Sequence, residues 1–372
     1  MDFSLTREQE MLKKLAAEFA EKEGRSPTVG ELAELLGVEP AEAAQAPHVP
    51  VGVMRLAGAA KEIVNMYRIQ TMNKISPVGL NRFDAALYEV GDEVQDPQGI
   101  LVRSAKLLDM EFNPSLLAIA RAGVGVNNIP LDRCAAAGIP VFSTPGANAN
   151  AVKELVVCAM LMGSRDIPGA IRWVREQAAS GVEVATVVEK GKSAFVGPEL
   201  YKKTLGIIGL GAIGSIVANT AISLGMDVYG YDPFLSVDTA LRLDRHVHVV
   251  KDINDLYKRA DYVTLHIHYT GKTAHMIDAD AIAAMKRGVR VINLARGEIV
   301  DDEAILAALD TGKVAVYVTD FPNNRLLTAP HVIAMPHLGA STPESEQNCA
   351  AMAVDELTDY LENGNITHSV NM

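Results

Sequence analysis

Short apolar runs alternate with helical patterns along the second half of the chain. The runs are continuously apolar, which is typical of strands buried on both faces of a sheet. Strands and helices in this alternating order predict a parallel sheet that is covered by helices on both faces. The predicted strands cover residues 205–208, 228–231, 247–250, 262–266, 289–294, 314–319 and 332–335. The predicted helices between them cover residues 212–224, 279–286 and 302–309.

Between Met66 and residue 203 the pattern is less regular, but it is still built from short apolar runs. We expect buried strands or helix ends here, followed by a mostly apolar helix and then by a looser, glycine-containing stretch. The strands or helix ends are predicted at residues 100–102, 117–120 and 141–142, the apolar helix at 151–162, and the looser stretch at 176–203. A last helix is predicted at 342–363.

The first 65 residues differ from the rest of the chain. Residues 5–23 and 31–36 have charge-rich helical patterns, and a Pro- and Ala-rich linker follows at 40–50. Acidic residues outnumber basic ones in this stretch, which argues against DNA binding. We expect a short helical N-terminal extension.

Composition narrows the class of protein. The net charge of −12 disfavours a nucleic-acid partner, which would require a basic face. The chain has three widely spaced cysteines, a number and spacing that fit neither a disulfide framework nor a metal site. The N-terminus lacks an apolar signal core, and the longest apolar run, residues 155–162, is too short to span a membrane. A cytoplasmic protein without a membrane or metal association is therefore expected.

A glycine-rich loop follows the first strand of the regular region. Gly209, Gly211 and Gly214 have the spacing of a dinucleotide-binding turn, and a helix follows directly. Asp232 ends the next strand, 18 residues after the last glycine, where a carboxylate would bind the adenosine ribose. Residues 233–237 contain no Arg or Lys to pair with a 2′-phosphate, so NAD is favoured over NADP. The alternative is a glycine-rich turn that binds no nucleotide.

Two later strands end in residues suited to the chemistry of 2-hydroxy acids. Arg296 follows one strand, and its guanidinium could bind a carboxylate at two points. His337 follows the last strand, and imidazole titrates near neutral pH, as a general base should. Because ligands bind at the carboxyl edge of such sheets, we predict that both residues are catalytic. The alternative is a surface arginine and a structural histidine.

The chain from Met66 to Met372 resembles the D-2-hydroxyacid dehydrogenases, and within them the 3-phosphoglycerate dehydrogenases. The motifs that carry the resemblance are residues 121–128, 144–152, 209–214, 292–297 and 336–342.

The resemblance implies specific roles. Arg296 would bind the substrate carboxylate and polarise the 2-oxygen, and His337 would be the general acid and base. Asp320 would hold the nicotinamide carboxamide. The remaining substrate-binding positions would be Arg103, Ser104, Val124, Gly125 and Asn148. Further cofactor-binding positions would be Ala212, Ile213, His266, Thr273 and Ala295.

One position departs from the family pattern. The family pairs its histidine with a glutamate, but the aligned residue is Asn324. An amide can orient an imidazole but supplies no charge to favour its protonated form. The enzyme could therefore work with a re-tuned base, could bind NAD without catalysis, or could use another acid such as Glu298. We favour the first alternative and treat Asn324 as a candidate catalytic residue.

The predicted architecture is two Rossmann-like doubly wound parallel-sheet domains with a cleft between them. Residues 66–164 with 341–372 would bind substrate, and residues 165–340 would bind NAD. The resemblance implies a homodimer formed through the NAD-binding domain, and a catalytic portion without the C-terminal regulatory domain of many relatives.

The expected reaction is the oxidation of 3-phospho-D-glycerate to 3-phosphooxypyruvate, which starts serine biosynthesis. The alternatives are another small anionic 2-hydroxy acid, such as glycerate (the hydroxypyruvate/glycerate pair) or lactate, and a catalytically weakened NAD-binding regulatory protein.

Overall fold

The computed structural model describes residues 66–372, so the predicted N-terminal extension lies outside the described residues. The chain divides into two compact units. Of the described residues, the first unit contains 66–144 together with Gln347–Met372, and the second contains Pro145–Glu346.

Strands and helices alternate through most of the described chain. The strands are β1 Tyr67–Met72, β2 Tyr88–Gly91, β3 Gly99–Val102, β4 Ala118–Arg121, β5 Val141–Phe142, β6 Thr204–Ile208, β7 Asp227–Tyr231, β8 Val247–Val250, β9 Tyr262–Leu265, β10 Val289–Asn293, β11 Val314–Thr319 and β12 Val332–Ala334. The α-helices are α1 Pro77–Leu80, α2 Leu131–Ala136, α3 Ala149–Arg165, α4 Ile167–Ala179, α5 Val184–Gly191, α6 Ala212–Ser223, α7 Val237–Arg242, α8 Ile253–Tyr257, α9 Ala279–Ala284, α10 Asp302–Asp310, α11 Asn324–Leu327 and α12 Pro343–Asn363. Short 3₁₀ turns lie at Lys192–Phe195 and Gly297–Ile299.

In its described part, the first unit contains a five-stranded parallel sheet in the order β2-β1-β3-β4-β5. Helix α12 is held to this unit by polar contacts, among them a hydrogen bond from the hydroxyl of Tyr67 to the carbonyl of Leu361 at 2.8 Å. Arg82 pairs with Asp355 through two hydrogen bonds, and the hydroxyl of Tyr88 donates to Glu362. The C-terminal segment covers the edge of the sheet at β5. The side chain of Asn371 accepts a hydrogen bond from the N–H of Val141 and donates one to the carbonyl of Ile139.

In its described part, the second unit contains a seven-stranded parallel sheet in the order β12-β11-β10-β9-β6-β7-β8. The strand order reverses at β6, which pairs with β7 on one side and with β9 on the other. In sheets of this kind, ligands bind at the carboxyl edge where the order reverses. The predicted fold class, two Rossmann-like parallel-sheet domains, is confirmed.

The division between the units falls at residues 144/145 and 346/347, whereas the sequence placed it at 164/165 and 340/341. Helix α3 accounts for most of the difference. Its Val156 and Met160 are buried in the same core as Ile207 and Val318 of the second sheet. The guanidinium Nε of Arg290 also donates to the carbonyl of Gly163 at 2.9 Å. An apolar helix carries no signal in its sequence for which of two sheets it will cover.

The seven predicted strands of the second sheet lie within one residue of the observed ones. Strands β1 and β2 and helices α4 and α5 are among the elements that were not predicted; few of their residues are buried, so they lack the continuous apolar runs of the second sheet. Among the described residues, no helix has the length and apolar character needed to cross a membrane.

Candidate active site

The glycine loop joins β6 to α6 and is closely packed at two of its three glycines. Gly209 has a positive φ of 92°, and a side chain there would lie 2.4 Å from the carbonyl oxygen of His266. A Cβ on Gly214 would lie 1.9 Å from the carbonyl oxygen of Gly209. A Cβ on Gly211, by contrast, would meet nothing within 4 Å. Two glycines are therefore required by the fold, and the third leaves open space above the helix N-terminus.

Asp232 follows β7 and faces the glycine loop. One carboxylate oxygen accepts from the backbone N–H of Leu210 at 2.9 Å, and the other accepts from Phe234 at 2.9 Å. These bonds fix the carboxylate beside the loop, where the sequence predicted a ribose-binding acid.

The other predicted cofactor residues surround the same edge. Ala212 and Ile213 form the first turn of α6, whose N–H groups lack helical partners. His266 follows β9, and burial lowers the pKa of its imidazole to about 3, so the ring is neutral at physiological pH. The hydroxyl of Thr273 donates to the carbonyl of His268 at 2.7 Å and so shapes the loop after β9.

A buried amide holds the turn that carries Arg296. The side chain of Asn293 is fully buried, donates to the carbonyl of Arg296 at 2.8 Å and accepts from the N–H of Ala295 at 3.2 Å. The guanidinium of Arg296 donates to the carbonyl of Ala295 at 2.6 Å. The sequence analysis did not single out Asn293, although a polar residue at the end of an apolar strand is a usable signal for such a clamp.

Asp320 lies buried beneath the loop that carries His337. Its Oδ2 accepts from the N–H of Gly339 at 3.2 Å, whereas Oδ1 is buried and has no hydrogen-bond partner among the described residues. Burial raises the pKa of Asp320, and the nearby imidazole of His337 opposes this rise. A buried acceptor without a donor is costly unless a bound group supplies one.

Arg296 and His337 lie against the same aromatic side chain. The rings of His337 and Phe321 have centroids 4.6 Å apart and planes inclined at 45°. The guanidinium carbon of Arg296 lies 5.7 Å from the centroid of the Phe321 ring. The structure thus brings together the two predicted catalytic residues through a phenylalanine that the sequence analysis did not assign to the site.

Asn324 lies apart from this group. It is exposed as the first residue of α11, and no hydrogen bond joins it to His337 in the described part of the chain. The N-terminal part of its short helix is tied to α10 instead, by Asn323 with Asp302 and by Arg325 with Glu303. The expectation that an amide at 324 orients the imidazole therefore has no contact to support it.

Glu298 does not replace the missing family glutamate either. It is exposed, and its side chain makes neither a hydrogen bond nor an ion pair with His337 within residues 66–372.

The predicted substrate residues of the first unit lie at the carboxyl edge of its sheet. The backbone N–H of Ser104 donates to the side chain of Asn73 at 3.0 Å, which links the ends of β1 and β3. The guanidinium Nε of Arg121 donates to the carbonyl of Arg103 at 3.1 Å, which places two cationic residues at neighbouring strand ends. Val124 and Gly125 follow β4 and are half-buried.

Asn148 belongs to the second unit, at the N-terminus of α3. Its Oδ1 is buried without a hydrogen-bond partner among the described residues, so the side chain has an unused acceptor.

Comparison with known proteins identifies the family. A model of the "D-isomer specific 2-hydroxyacid dehydrogenase, NAD binding domain" matches residues 157–339. Hydroxypyruvate reductase of Thermotoga maritima is 36% identical over 274 residues, which are 70% of this chain and 84% of that protein. The chain belongs to the D-2-hydroxyacid dehydrogenase family. D-3-phosphoglycerate dehydrogenase of Methanocaldococcus jannaschii is also 36% identical, over 76% of this chain but 53% of that protein. The chain spans about half the length of the curated phosphoglycerate dehydrogenases that it matches.

Solved structures have the same fold. The NAD⁺-bound 3-phosphoglycerate dehydrogenase of Entamoeba histolytica matches with a TM-score of 0.65 at 25% identity, over 82% of this chain and 99% of that one. A glyoxylate reductase from Paecilomyes thermophila matches with a TM-score of 0.68 at 23% identity, over 82% of this chain and 98% of that one.

The residues present fit an NAD cofactor. The open space at Gly211 admits a pyrophosphate, and the α6 N-terminus offers it free N–H groups. The carboxylate of Asp232 stands beside this loop, and the unused Oδ1 of Asp320 can accept from a carboxamide N–H. NAD binding therefore follows both from the family and from the donors and acceptors of the second unit.

Substitutions at two neighbouring glycines should separate cofactor binding from stability. Gly211→Ala should leave the unfolding free energy unchanged but raise the dissociation constant of NADH about tenfold, or ~1.4 kcal/mol, because its methyl group fills the space left for phosphate. Gly214→Ala should instead destabilise the protein by about 1–3 kcal/mol, because its methyl group collides with the carbonyl of Gly209. Urea unfolding and NADH fluorescence titration measure both effects. Normal NADH affinity in Gly211→Ala would contradict this account of the loop.

Proposed function

We propose that the chain is an NAD-dependent dehydrogenase that oxidises 3-phospho-D-glycerate to 3-phosphooxypyruvate. This proposal rests mainly on one observation: the side chains of Arg296 and His337 both lie against the ring of Phe321, and the buried Asp320 is near the imidazole. A 2-hydroxy acid dehydrogenase needs a cation for the carboxylate and an acid/base for the hydroxyl, and these two side chains supply both.

Arg296 would bind the substrate carboxylate with its planar guanidinium and polarise the oxygen on C2. The side chain of Asn293 bonds to the backbone at Ala295 and Arg296, so the turn from which the guanidinium extends is held in one conformation. Fixing the carboxylate orients C2 before reaction, which lowers the entropic part of the barrier.

His337 would accept the hydroxyl proton during oxidation and return it to the C2 oxygen during reduction. NAD, when bound, supplies the acceptor for the hydride that leaves C2. Asp320 would accept a hydrogen bond from the carboxamide through Oδ1, which sets the orientation of the nicotinamide ring. The lack of basic residues at 233–237 beside Asp232 supports NAD over NADP.

The cationic edge of the first unit supports a phosphorylated substrate. Arg103 and Arg121 lie at the ends of β3 and β4, and Lys74 follows the end of β1 in the same parallel sheet. Guanidinium groups bind phosphate at two points, whereas an uncharged hydroxymethyl tail would gain little from them. The main alternative substrate is the hydroxypyruvate/glycerate pair. The 36% identity to the hydroxypyruvate reductase of Thermotoga maritima is the reason to test this alternative.

Replacing His337 tests the reaction. His337→Gln should lower kcat by about 10²–10⁴-fold, because general acid–base help is lost. The dissociation constant of NADH should be unchanged, since the side chain is on a separate loop from the glycine turn. His246→Gln, an exposed histidine paired with Asp244, is the matched control and should keep full activity. A wild-type protein that binds NADH but turns over no 2-oxo acid between pH 5 and 9 would instead favour the regulatory-protein alternative.

Replacing Arg103 tests the substrate. Arg103→Ala should raise the KM for 3-phosphooxypyruvate about tenfold or more while changing that for hydroxypyruvate little, because one charge-assisted contact of about 1.5–3 kcal/mol is lost. Arg82→Ala removes a cation of the same unit that is paired with Asp355, and it serves as the control. Equal effects of Arg103→Ala on both substrates, measured by NADH absorbance, would rule out phosphate recognition at this position.

We propose further that the protein is a homodimer formed through its second unit. Helices α4 and α5 contain no buried residue, and they expose Ile171, Val174 and Val188. Exposed apolar residues on neighbouring helices are typical of a surface that a second copy covers.

A charge on this surface should separate the copies. Val174→Glu should convert a dimer into a monomer in size-exclusion chromatography with light scattering, because a carboxylate is costly to bury in an apolar interface. Arg172→Glu, on the same helix, is the control. A monomeric wild-type protein would contradict the proposal.

A further inference from the structure

The ring of Phe321 contacts both of the proposed catalytic side chains. The imidazole of His337 packs at 4.6 Å between centroids, and the guanidinium of Arg296 lies 5.7 Å from the same ring. The first distance is typical of aromatic packing, and the second lies within the range of cation–π attraction.

His337 depends on this packing because no hydrogen bond holds its ring. Neither ring nitrogen has a hydrogen-bond partner within residues 66–372, and the side chain is otherwise exposed. Asn324 is exposed and makes no bond to it, while Asp320 is close enough to act on the charge of the imidazole but makes no hydrogen bond to it. The contact with Phe321 therefore restricts the orientation of the imidazole by packing.

Phe321 is itself well placed to act as a support. Its backbone N–H donates to the hydroxyl of Thr319 at 3.0 Å, which fixes the turn directly after β11. Its Cβ lies 3.3 Å from the position that a Cβ on Gly297 would occupy, so the loops after β10 and β11 are in close contact here. These contacts hold the backbone of Phe321 in place, and its ring lies between the turn that carries Arg296 and the loop that carries His337.

We infer that Phe321 is a positioning residue for the reaction, which orders both Arg296 and His337. The kinetic part of this inference rests on the proposed function, whereas the ordering of the imidazole can be measured without any substrate. Loss of the ring should affect carboxylate binding and proton transfer together, because one side chain supports both groups.

The test compares Phe321→Leu with Phe321→Tyr in the full chain. Phe112→Leu is the matched control, because Phe112 also lies under a guanidinium, that of Arg133, but in the first unit. Reduction of 3-phosphooxypyruvate by NADH gives kcat and KM, and NADH fluorescence gives the cofactor affinity. Histidine labelled with ¹³C at Cε1 reports the imidazole by NMR, and the signal of His337 is the one that disappears in His337→Gln.

Phe321→Leu should lower kcat/KM about tenfold, through both a lower kcat and a higher KM, with unchanged NADH affinity. Phe321→Tyr should restore kcat/KM to near the wild-type value, and Phe112→Leu should match the wild type. The ring-current shift of the His337 signal should be lost in Phe321→Leu and kept in Phe321→Tyr.

Two outcomes would overturn the inference: a His337 signal that is the same in Phe321→Leu and wild type, or kinetics of Phe321→Leu that match those of Phe112→Leu. If the wild type reduced no 2-oxo acid, the proposed function would fail, and the His337 signal alone would then decide whether Phe321 orders the ring.

Discussion

Parallel strand pairing is the constraint on which the rest of the second unit depends. Because all seven strands run in one direction, every segment that follows a strand emerges at the same edge of the sheet. The glycine loop, Asp232, His266, Arg296 and Asp320 are spread over more than a hundred residues, yet each lies in the segment that follows a strand. The site is thus assembled by topology, and local bonds such as those of Asn293 then set the direction of individual side chains.

Much of this arrangement could be predicted from the amino-acid sequence. Continuous apolar runs gave the strands of the second sheet, because strands buried on both faces need apolar residues at every position. The loop from Gly209 to Gly214 was recognisable because its glycines meet steric demands that few other residues satisfy. Arg296 and His337 were predicted from their places after strands, and the structure brings them onto one ring.

What the sequence could not supply depends on tertiary packing. Helix α3 is mostly apolar, and its tertiary contacts, such as those of Met160 and Gly163, show which sheet it covers. The family resemblance indicated Asn324 as the partner of the histidine, but the turn after Asp320 directs that residue to solvent. Phe321 packs beside the imidazole, but the sequence gives no reason to assign it to the site, because an aromatic residue next to proline has no distinctive pattern.

The central claim is that this edge of the sheet transfers hydride between NAD and a D-2-hydroxy acid, and isotope transfer tests it most directly. The protein would be incubated with 3-phosphooxypyruvate and with NADH in which both hydrogens at C4 of the nicotinamide are replaced by deuterium, and the products would be examined by mass spectrometry and chiral chromatography. The expected product is 3-phospho-D-glycerate with deuterium at C2. Deuterium that stays on NADH, with no labelled hydroxy acid from this or any other 2-oxo acid, would contradict it.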